Sequence, residues 1–286
     1  MAGVKISRPD KVLFPKDNLT KFDIASYYQK IAPRMLPHLK GRPLVMHHYP
    51  DGIKKENFYQ KQTPDYFPNW IKQIDVKLEK GGSDQMITVT KTADLVYLAD
   101  QAVITSHVFL SRMPKLHFPD KIVFDLDPAS DDIKALRFVA RAIKNYFEKL
   151  GYKSYIMTSG IKGYHVVIPI KPKYNFGIVR EAMKKVAGRL SAQYPKLLTD
   201  EIAKDKRGGR IFLDYLRNSY GQTSVSPYSL RAIDGAPVAT PFSWKELSRV
   251  FPQSFNIKNI LRRVKSCPDP WENIYNSSQN LDKDDF

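Results

Sequence analysis

The sequence predicts an α+β fold built around a small sheet with the element order β-α-β-β-α-β, which is the order of ferredoxin-like domains. Two observations support this prediction. Four apolar runs have the length of strands, at 121–127, 153–158, 164–170 and 210–216. Two longer segments carry apolar residues at three- and four-residue spacing, which is typical of amphipathic helices, over about 131–150 and 176–194.

The part of the chain before this sheet is predicted to be α/β and to pack against it. Thr20 is a suitable N-cap for a helix over 21–36, and short strand-like runs follow it. A proline-containing break at 113–119 separates this part from the sheet. We expect one domain over 1–286, divided into an N-terminal part (1–115), a catalytic core (120–235), and C-terminal helices and a tail (236–286).

The charge of the chain limits the classes of partner. Lysine and arginine number 46 against 29 acidic residues, a net charge of 46 − 29 = +17, which indicates a polyanionic partner. No apolar run approaches the roughly 20 residues of a membrane span, so nucleic acid is favoured over a membrane. The single Cys267 excludes an internal disulfide and a multi-cysteine zinc site. We therefore expect a cytoplasmic, nucleoid-associated protein.

Three aspartates are candidate metal ligands. Asp125 and Asp127 share one face of the first strand, because successive side chains of a strand point to opposite faces. The last strand lies close to the first in the predicted topology, so Asp214 can approach the pair. Neighbouring carboxylates repel each other unless a cation lies between them, and a divalent metal fits. The alternative is a solvated strand end.

Two further segments are candidate phosphate contacts. The loop 159–165 contains two glycines, which let backbone amides approach an anion, together with Lys162 and His165 as donors. The alternative is a plain hairpin turn. The polar segment 217–231 ends in Arg231, whose guanidinium can bind phosphate in a fork. Its alternative is a solvated surface loop.

Several motifs in this order resemble the polymerase domain of bacterial ligase D, of the archaeo-eukaryotic primase superfamily. The motifs are Asp-Leu-Asp-Pro at 125–128, Ser-Gly-x-Lys-Gly-x-His at 159–165, Asp-Tyr at 214–215, Pro-Tyr-Ser-Leu-Arg at 227–231, and the segments 9–15, 41–43 and 58–62. The resemblance covers nearly the whole chain and implies a primase-polymerase fold. The sequence lacks the Lys-x-Asp-Gly motif of ligases, so we expect a stand-alone polymerase or an excised domain.

The resemblance also implies residue roles. Asp125, Asp127 and Asp214 would be catalytic and would bind two divalent ions, Mn²⁺ or Mg²⁺. The incoming nucleotide would be bound by Ser159, Lys162, His165, Arg231 and His107. Lys11 and Lys21 would bind the 5′-phosphate of DNA. Further DNA contacts would come from Phe58, Tyr59, Lys61 and Arg207.

The function implied is extension of primer 3′ ends at gaps and double-strand breaks in non-homologous end joining, with a preference for ribonucleotides. Expected partners are 5′-phosphorylated DNA with gaps, overhangs or breaks, NTP or dNTP, a Ku-like end-binding protein and a separate ATP-dependent ligase. The alternatives are a replicative or accessory primase and a non-catalytic nucleic-acid-binding module. The binding module is disfavoured because such modules contact single strands with aromatic residues on the face of the sheet, where this sequence has aspartates. Two segments depart from the family. Met46-His47-His48-Tyr49 stands where a more basic stretch ending in an aromatic residue is expected, and Arg217 and Gln222 lie in a segment without a match.

Overall fold

The computed structural model describes residues 1–128, 131–282 and 285, and the backbone alone of Asp127. The elements in chain order are β1 (Val12–Phe14), β2 (Leu19–Thr20), α1 (Lys21–Leu39), β3 (Leu44–His48), β4 (Phe58–Gln60), β5 (Gln73–Lys77), β6 (Ser83–Ile87), α2 (Thr92–Asp100), β7 (Val103–Phe109), β8 (Lys121–Asp127), α3 (Ile133–Lys149), β9 (Tyr155–Thr158), β10 (Tyr164–Pro169), α4 (Phe176–Gln193), β11 (Leu198–Thr199), β12 (Ile211–Asp214), β13 (Thr223–Val225), β14 (Pro241–Phe242) and α5 (Ile260–Ser266). The predicted α+β class is confirmed. Among the described helices, none combines the length and apolarity needed to cross a bilayer.

The chain folds into two compact units, each assembled from separate stretches. The first unit comprises 1–114, 223–240 and 255–268. The second unit comprises 115–222, 241–254 and 269–286. This division differs from the predicted ranges, because β13 pairs with β7 and so places 223–240 in the first unit rather than in the catalytic core.

The first unit is built on a four-stranded antiparallel sheet in the order β13-β7-β3-β4, with α1 packed against α2. Buried hydrogen bonds tie α1 and the sheet together: the Tyr28 hydroxyl donates to the Ile104 carbonyl at 2.5 Å. The segment at 41–43 has a structural role. Arg42 is fully buried, and its Nη1 donates to the carbonyls of Phe109 and Ser111 at 3.1 and 3.2 Å.

The second unit is built on a six-stranded sheet in the order β11-β12-β8-β10-β9-β14. Strand β8 lies inside this sheet, and its residues Ile122, Val123 and Phe124 are buried because a strand pairs with it on each side. Helix α3 lies nearby, with the rings of Phe124 and Phe147 5.8 Å apart. The amphipathic pattern of α3 buries Leu136, Val139, Ile143 and Phe147, as its spacing predicts. The strand-helix-strand-strand-helix-strand order of β8, α3, β9, β10, α4 and β12 places Asp214 beside Asp125.

The predicted helices are confirmed, with small changes at their ends. The helix predicted over 176–194 ends at Gln193, and the one predicted over 131–150 begins at Ile133 because the Asp132 carboxylate accepts from the Lys134 and Ala135 amides as its N-cap. The first helix starts at Lys21 as expected but continues past 36 to Leu39. The expected C-terminal helices are α5 and a short 3₁₀ turn at Trp244–Glu246.

Thr20 closes the N-terminus of α1 with a capping box. Its hydroxyl accepts from the Asp23 amide at 3.3 Å, and the Asp23 carboxylate accepts from the Thr20 amide at 2.8 Å. Thr20→Ala removes the acceptor, so we expect the free energy of unfolding to fall by about 1 kcal/mol. Thr20→Ser retains the hydroxyl and is the matched control. Urea denaturation measures both, and an alanine variant as stable as the serine variant would contradict the cap.

Candidate active site

The centre of the candidate site is Asp125, near the end of β8. The register of the sheet places Asp214 of β12 directly opposite Asp125 on one side, and His165 of β10 directly opposite on the other. The three side chains therefore come from three adjacent strands. His165 Nε2 lies 3.2 Å from Asp125 Oδ1. The side chain of Asp127 lies outside the described part of the chain, so its predicted role as a ligand stays a prediction.

The guanidinium of Arg217 offsets part of the negative charge of the two facing carboxylates. Its Nη2 lies 3.0 Å from Asp125 Oδ2 and 3.4 Å from Asp214 Oδ2. Burial raises the pKa of the Asp214 carboxyl, the nearby charge of Asp125 raises it further, and the Arg217 guanidinium opposes both effects. Because the two charged carboxylates repel each other, a nearby positive charge stabilises them.

The donor chemistry of the site suits a divalent ion. Facing carboxylate oxygens are the ligands that Mg²⁺ and Mn²⁺ prefer. The described residues contain no group of three His, Cys, Asp or Glu side chains placed to hold a metal, and this set excludes the side chain of Asp127. Asp125 and Asp214 would supply two of the ligands.

A buried asparagine fixes the turn that presents Arg217. Asn218 is fully buried in the 3₁₀ turn Leu216–Asn218 that follows β12. Its Oδ1 accepts from the Val123 amide at 2.9 Å, and its Nδ2 donates to the Val123 carbonyl at 2.9 Å. The turn is thereby attached to the middle of β8, next to Asp125. Sequence reasoning missed Arg217 and Asn218, because nothing in a polar segment after a strand indicates that it turns back onto the sheet.

The loop 159–163 connects β9 to β10 and is closed by its own serine. Ser159 is buried, and its Oγ accepts from the amides of Ile161 and Gly163 at 3.3 and 3.0 Å. Gln253 donates from Nε2 to the Ile161 carbonyl at 2.9 Å. These two amides are therefore used inside the turn, contrary to the expectation that the loop offers them to an anion. Lys162 is exposed and borders a cavity of about 350 Å³.

The basic residues near the chain start are brought together by the β1–β2 hairpin. The Lys21 amide donates to the Lys11 carbonyl at 2.8 Å. Lys21 is buried; its Nζ lies 3.1 Å from Ser7 Oγ and 3.5 Å from Asp100 Oδ1. Burial lowers the pKa of Lys21, Asp100 opposes this, and the charges of Arg8 and Lys11 lower the pKa further. Arg8 therefore belongs to this basic cluster, although its sequence context gave no signal.

Lys11 is less buried than Lys21 and pairs with Asp51. The distance between Lys11 Nζ and Asp51 Oδ1 is 2.5 Å. The hydrogen bond from Lys11 lowers the pKa of the Asp51 carboxyl. Both lysines thus have acidic partners in the protein, and those partners hold the ammonium groups in place within the first unit.

The remaining predicted residues fall in two groups. Phe58, Tyr59, Lys61, His107 and Arg231 belong to the first unit, where Phe58, Tyr59 and Lys61 are exposed. Arg207 belongs to the second unit and supports its own loop: its Nε and Nη2 donate to the carbonyls of Glu201 and Ile202, and its guanidinium lies 4.0 Å from the Phe212 ring centre. Its predicted DNA contact stays a prediction.

Known proteins resemble this chain over almost its full length. A family model described as LigD, primase-polymerase domain, matches residues 20–271. The multifunctional non-homologous end joining protein LigD of Mycolicibacterium smegmatis is 31% identical over 274 residues, which cover 93% of this chain and 35% of that protein. The bifunctional non-homologous end joining protein LigD of Bacillus subtilis is 31% identical over 274 residues, covering 95% and 44%. The chain spans less than half the length of these relatives.

A solved structure is also similar. The polymerase domain from Mycobacterium tuberculosis ligase D, determined in complex with DNA, superposes with a TM-score of 0.90 at 30% sequence identity. The match covers 97% of this chain and 100% of that one.

The anchoring role of Asn218 predicts a large effect on stability. Asn218→Ala leaves the Val123 amide and carbonyl buried without these partners, so we expect the free energy of unfolding to fall by about 2–4 kcal/mol. Asn145→Ala is the matched control, because Asn145 is exposed on α3. Chemical denaturation measures both variants. Equal stability of the two variants would exclude Asn218 as an anchor of the turn.

Proposed function

This chain belongs to the LigD primase-polymerase domain family, a family of nucleotidyltransferases, and from that premise we propose that it extends primer 3′ ends on DNA at gaps and double-strand breaks in non-homologous end joining. The observation that carries the proposal is the pairing of Asp125 with Asp214 across β8 and β12. Such a carboxylate pair has the chemistry required to bind metal ions for nucleotidyl transfer. The relative solved in complex with DNA supports DNA as the substrate class.

We assign Asp125, Asp127 and Asp214 as ligands of two divalent ions, Mn²⁺ or Mg²⁺. When bound, these ions supply a polarised primer hydroxyl and positive charge at the reacting phosphate. The protein's part is to hold the carboxylates in position through the register of three strands. Arg217 and His165 keep the carboxylates compensated and oriented, because both contact Asp125 directly.

The proposed nucleotide contacts are Ser159, Lys162, His165, His107 and Arg231, with ribonucleotides preferred. The geometry supports different roles for two of them. Lys162 is exposed at the tip of its loop, so its ammonium can reach a phosphate oxygen. Ser159 is buried and bonded to the loop amides, so it acts by shaping the loop that carries Lys162.

The proposed site for the 5′-phosphate of DNA is the cluster of Lys11, Lys21 and Arg8. Arg8 and Lys11 lie close enough to Lys21 to lower its pKa, which indicates an excess of positive charge at one place. A phosphate there would relieve that repulsion. Asp51 and Asp100 would hold the two lysines in place before DNA binds. Phe58, Tyr59, Lys61 and Arg207 are proposed as further DNA contacts.

The proposed partners follow from the relatives. The curated relatives are named as multifunctional or bifunctional end joining proteins and are more than twice as long as this chain. We propose that a ligase activity and a Ku-like end-binding protein act with it, either on the same polypeptide or as separate proteins.

Loss of the acidic pair tests the chemistry. We expect Asp125→Asn and Asp214→Asn each to reduce primer extension on a gapped duplex about 100-fold or more, because the positive charge at the reacting phosphate is lost. Chelation of divalent ions should abolish extension by the wild type. We also expect Mn²⁺ to raise the melting temperature of the wild type, and this rise should be absent in both variants.

Glu181→Gln is the control for this experiment, because Glu181 is an exposed carboxylate of α4 in the same unit. It should extend primers and respond to Mn²⁺ as the wild type does. Wild-type extension by either aspartate variant would refute the proposed function.

A substitution at Lys11 tests whether the protein recognises the 5′-phosphate of DNA. We expect Lys11→Ala to weaken binding to a 5′-phosphorylated gap about tenfold, since a charge-assisted hydrogen bond is removed, and to leave binding to the unphosphorylated gap nearly unchanged. Fluorescence anisotropy measures both affinities. Lys30→Ala, an exposed lysine on α1, is the charge-matched control. An equal loss on both substrates would contradict a phosphate pocket.

A further inference from the structure

Two histidines lie behind the two exposed aromatic residues of β4. This strand forms the edge of its sheet and pairs with β3 alone. The register places His47 directly opposite Tyr59 and His48 directly opposite Phe58. Because successive side chains of a strand alternate, Tyr59 and Phe58 point to opposite faces of the sheet, each with its own histidine.

His47 and Tyr59 form a close stack. Their ring centres are 3.8 Å apart and their planes differ by 20°. His47 is buried, whereas 61% of Tyr59 is exposed. The described strands include none on the other side of β4, so the buried ring of His47 is the stacked support of the exposed Tyr59 ring.

Hydrogen bonds on both ring nitrogens fix the orientation of His47. The Asn57 Oδ1 oxygen lies 2.8 Å from His47 Nε2 and can only accept, so Nε2 carries the proton. The Tyr49 hydroxyl, 3.1 Å from His47 Nδ1, then donates. Burial lowers the pKa of His47, which agrees with a neutral ring that donates once and accepts once. Tyr49 and Asn57 thus hold the His47 ring in a fixed orientation behind Tyr59.

The face that carries Tyr59 also carries groups proposed to contact the nucleotide. The rings of Tyr59 and His107 meet edge to face with centres 5.8 Å apart. Burial lowers the pKa of His47 and raises the pKa of Tyr49 to about 12. The charge of Arg231 is close enough to add to the first effect and to oppose the second. On the opposite face, Phe58 stacks on His48 at 4.8 Å, and His48 Nδ1 donates to the Gln101 carbonyl at 3.1 Å.

We propose that His47 is a positioning residue that holds Tyr59 for stacking on an unpaired template base, and that His48 does not serve this stack. Exposed aromatic rings stack on bases of any sequence, provided that the ring is presented in a fixed orientation. The proposal rests on the proposed function, because it requires a DNA template. It gives a role to His47, which lies in a segment that departs from the expected family pattern.

The test uses a gapped duplex with 2-aminopurine at the templating position, whose fluorescence is quenched when the base stacks. We expect wild-type protein to quench it and Tyr59→Ala to abolish the quenching. His47→Ala should lose most of the quenching and bind the duplex about 2- to 10-fold more weakly, which corresponds to one aromatic pair. His47→Phe should restore much of the quenching, because a flat ring again lies behind Tyr59.

His48→Ala is the matched control and should quench as the wild type does, since its ring supports Phe58 on the other face. Asn57→Ala should give intermediate quenching, because the His47 ring loses one of its two hydrogen bonds. Circular dichroism melting of each variant separates a loss of stacking from a loss of fold. If His47→Ala is unfolded, His47→Phe and Asn57→Ala serve as the two test variants.

The possible results separate the role of His47 from the proposed polymerase function. Wild-type quenching by His47→Ala, together with loss of quenching in Tyr59→Ala, would overturn the role of His47 and leave the polymerase function intact. Unchanged quenching in Tyr59→Ala would overturn the stacking role itself. If His47→Ala is unfolded, wild-type quenching by Asn57→Ala would overturn the positioning claim. Equal loss in His47→Ala and His48→Ala would overturn the division between the two faces.

Discussion

The structure of the second unit depends on one constraint: Asp125 and Asp214 are held opposite each other on adjacent strands. Two carboxylates so placed repel, and burial raises the pKa of Asp214 because its charged form is poorly solvated. Arg217 and His165 approach the same pair and reduce the cost. Strongly coupled carboxylates of this kind are typical of functional sites, and the proposed use of this pair is to bind divalent cations, which prefer oxygen ligands.

The surrounding structure can be understood as support for that pair. Asn218 attaches the turn of Arg217 to β8, and Ser159 closes the loop that places Lys162 beside β10. In the first unit, Asp100 holds the buried ammonium group of Lys21, and the buried ring of His47 supports the exposed ring of Tyr59. In each case a polar residue fixes the position of a side chain that either compensates the carboxylate pair or is proposed to contact DNA or nucleotide. Substitutions of these supports should affect function without removing any group that touches the substrate.

Much of the second unit could be predicted from sequence because its elements are long and periodic. The order of strands and helices predicts that Asp214 approaches Asp125, and the register of β8 and β12 confirms it. The predicted place of the Asp127 side chain stays a prediction. The roles of Arg217 and Asn218 could not be predicted, since a polar segment carries no periodic signal that it folds back onto a strand. The histidine stacks were equally hidden, because β4 has three residues and only its register reveals His47 behind Tyr59. The assignment of 223–240 to the first unit depends on a long-range strand pairing that local patterns do not record.

We propose that Asp125 and Asp214 share one of the two divalent ions. Anomalous diffraction from crystals soaked in Mn²⁺, recorded at the manganese edge, measures this. We expect an anomalous peak within about 2.1 Å of a carboxylate oxygen of each residue, with the Arg217 guanidinium displaced from at least one of them. Crystals in which Mn²⁺ binds elsewhere while Arg217 remains paired with both carboxylates would exclude a shared ion.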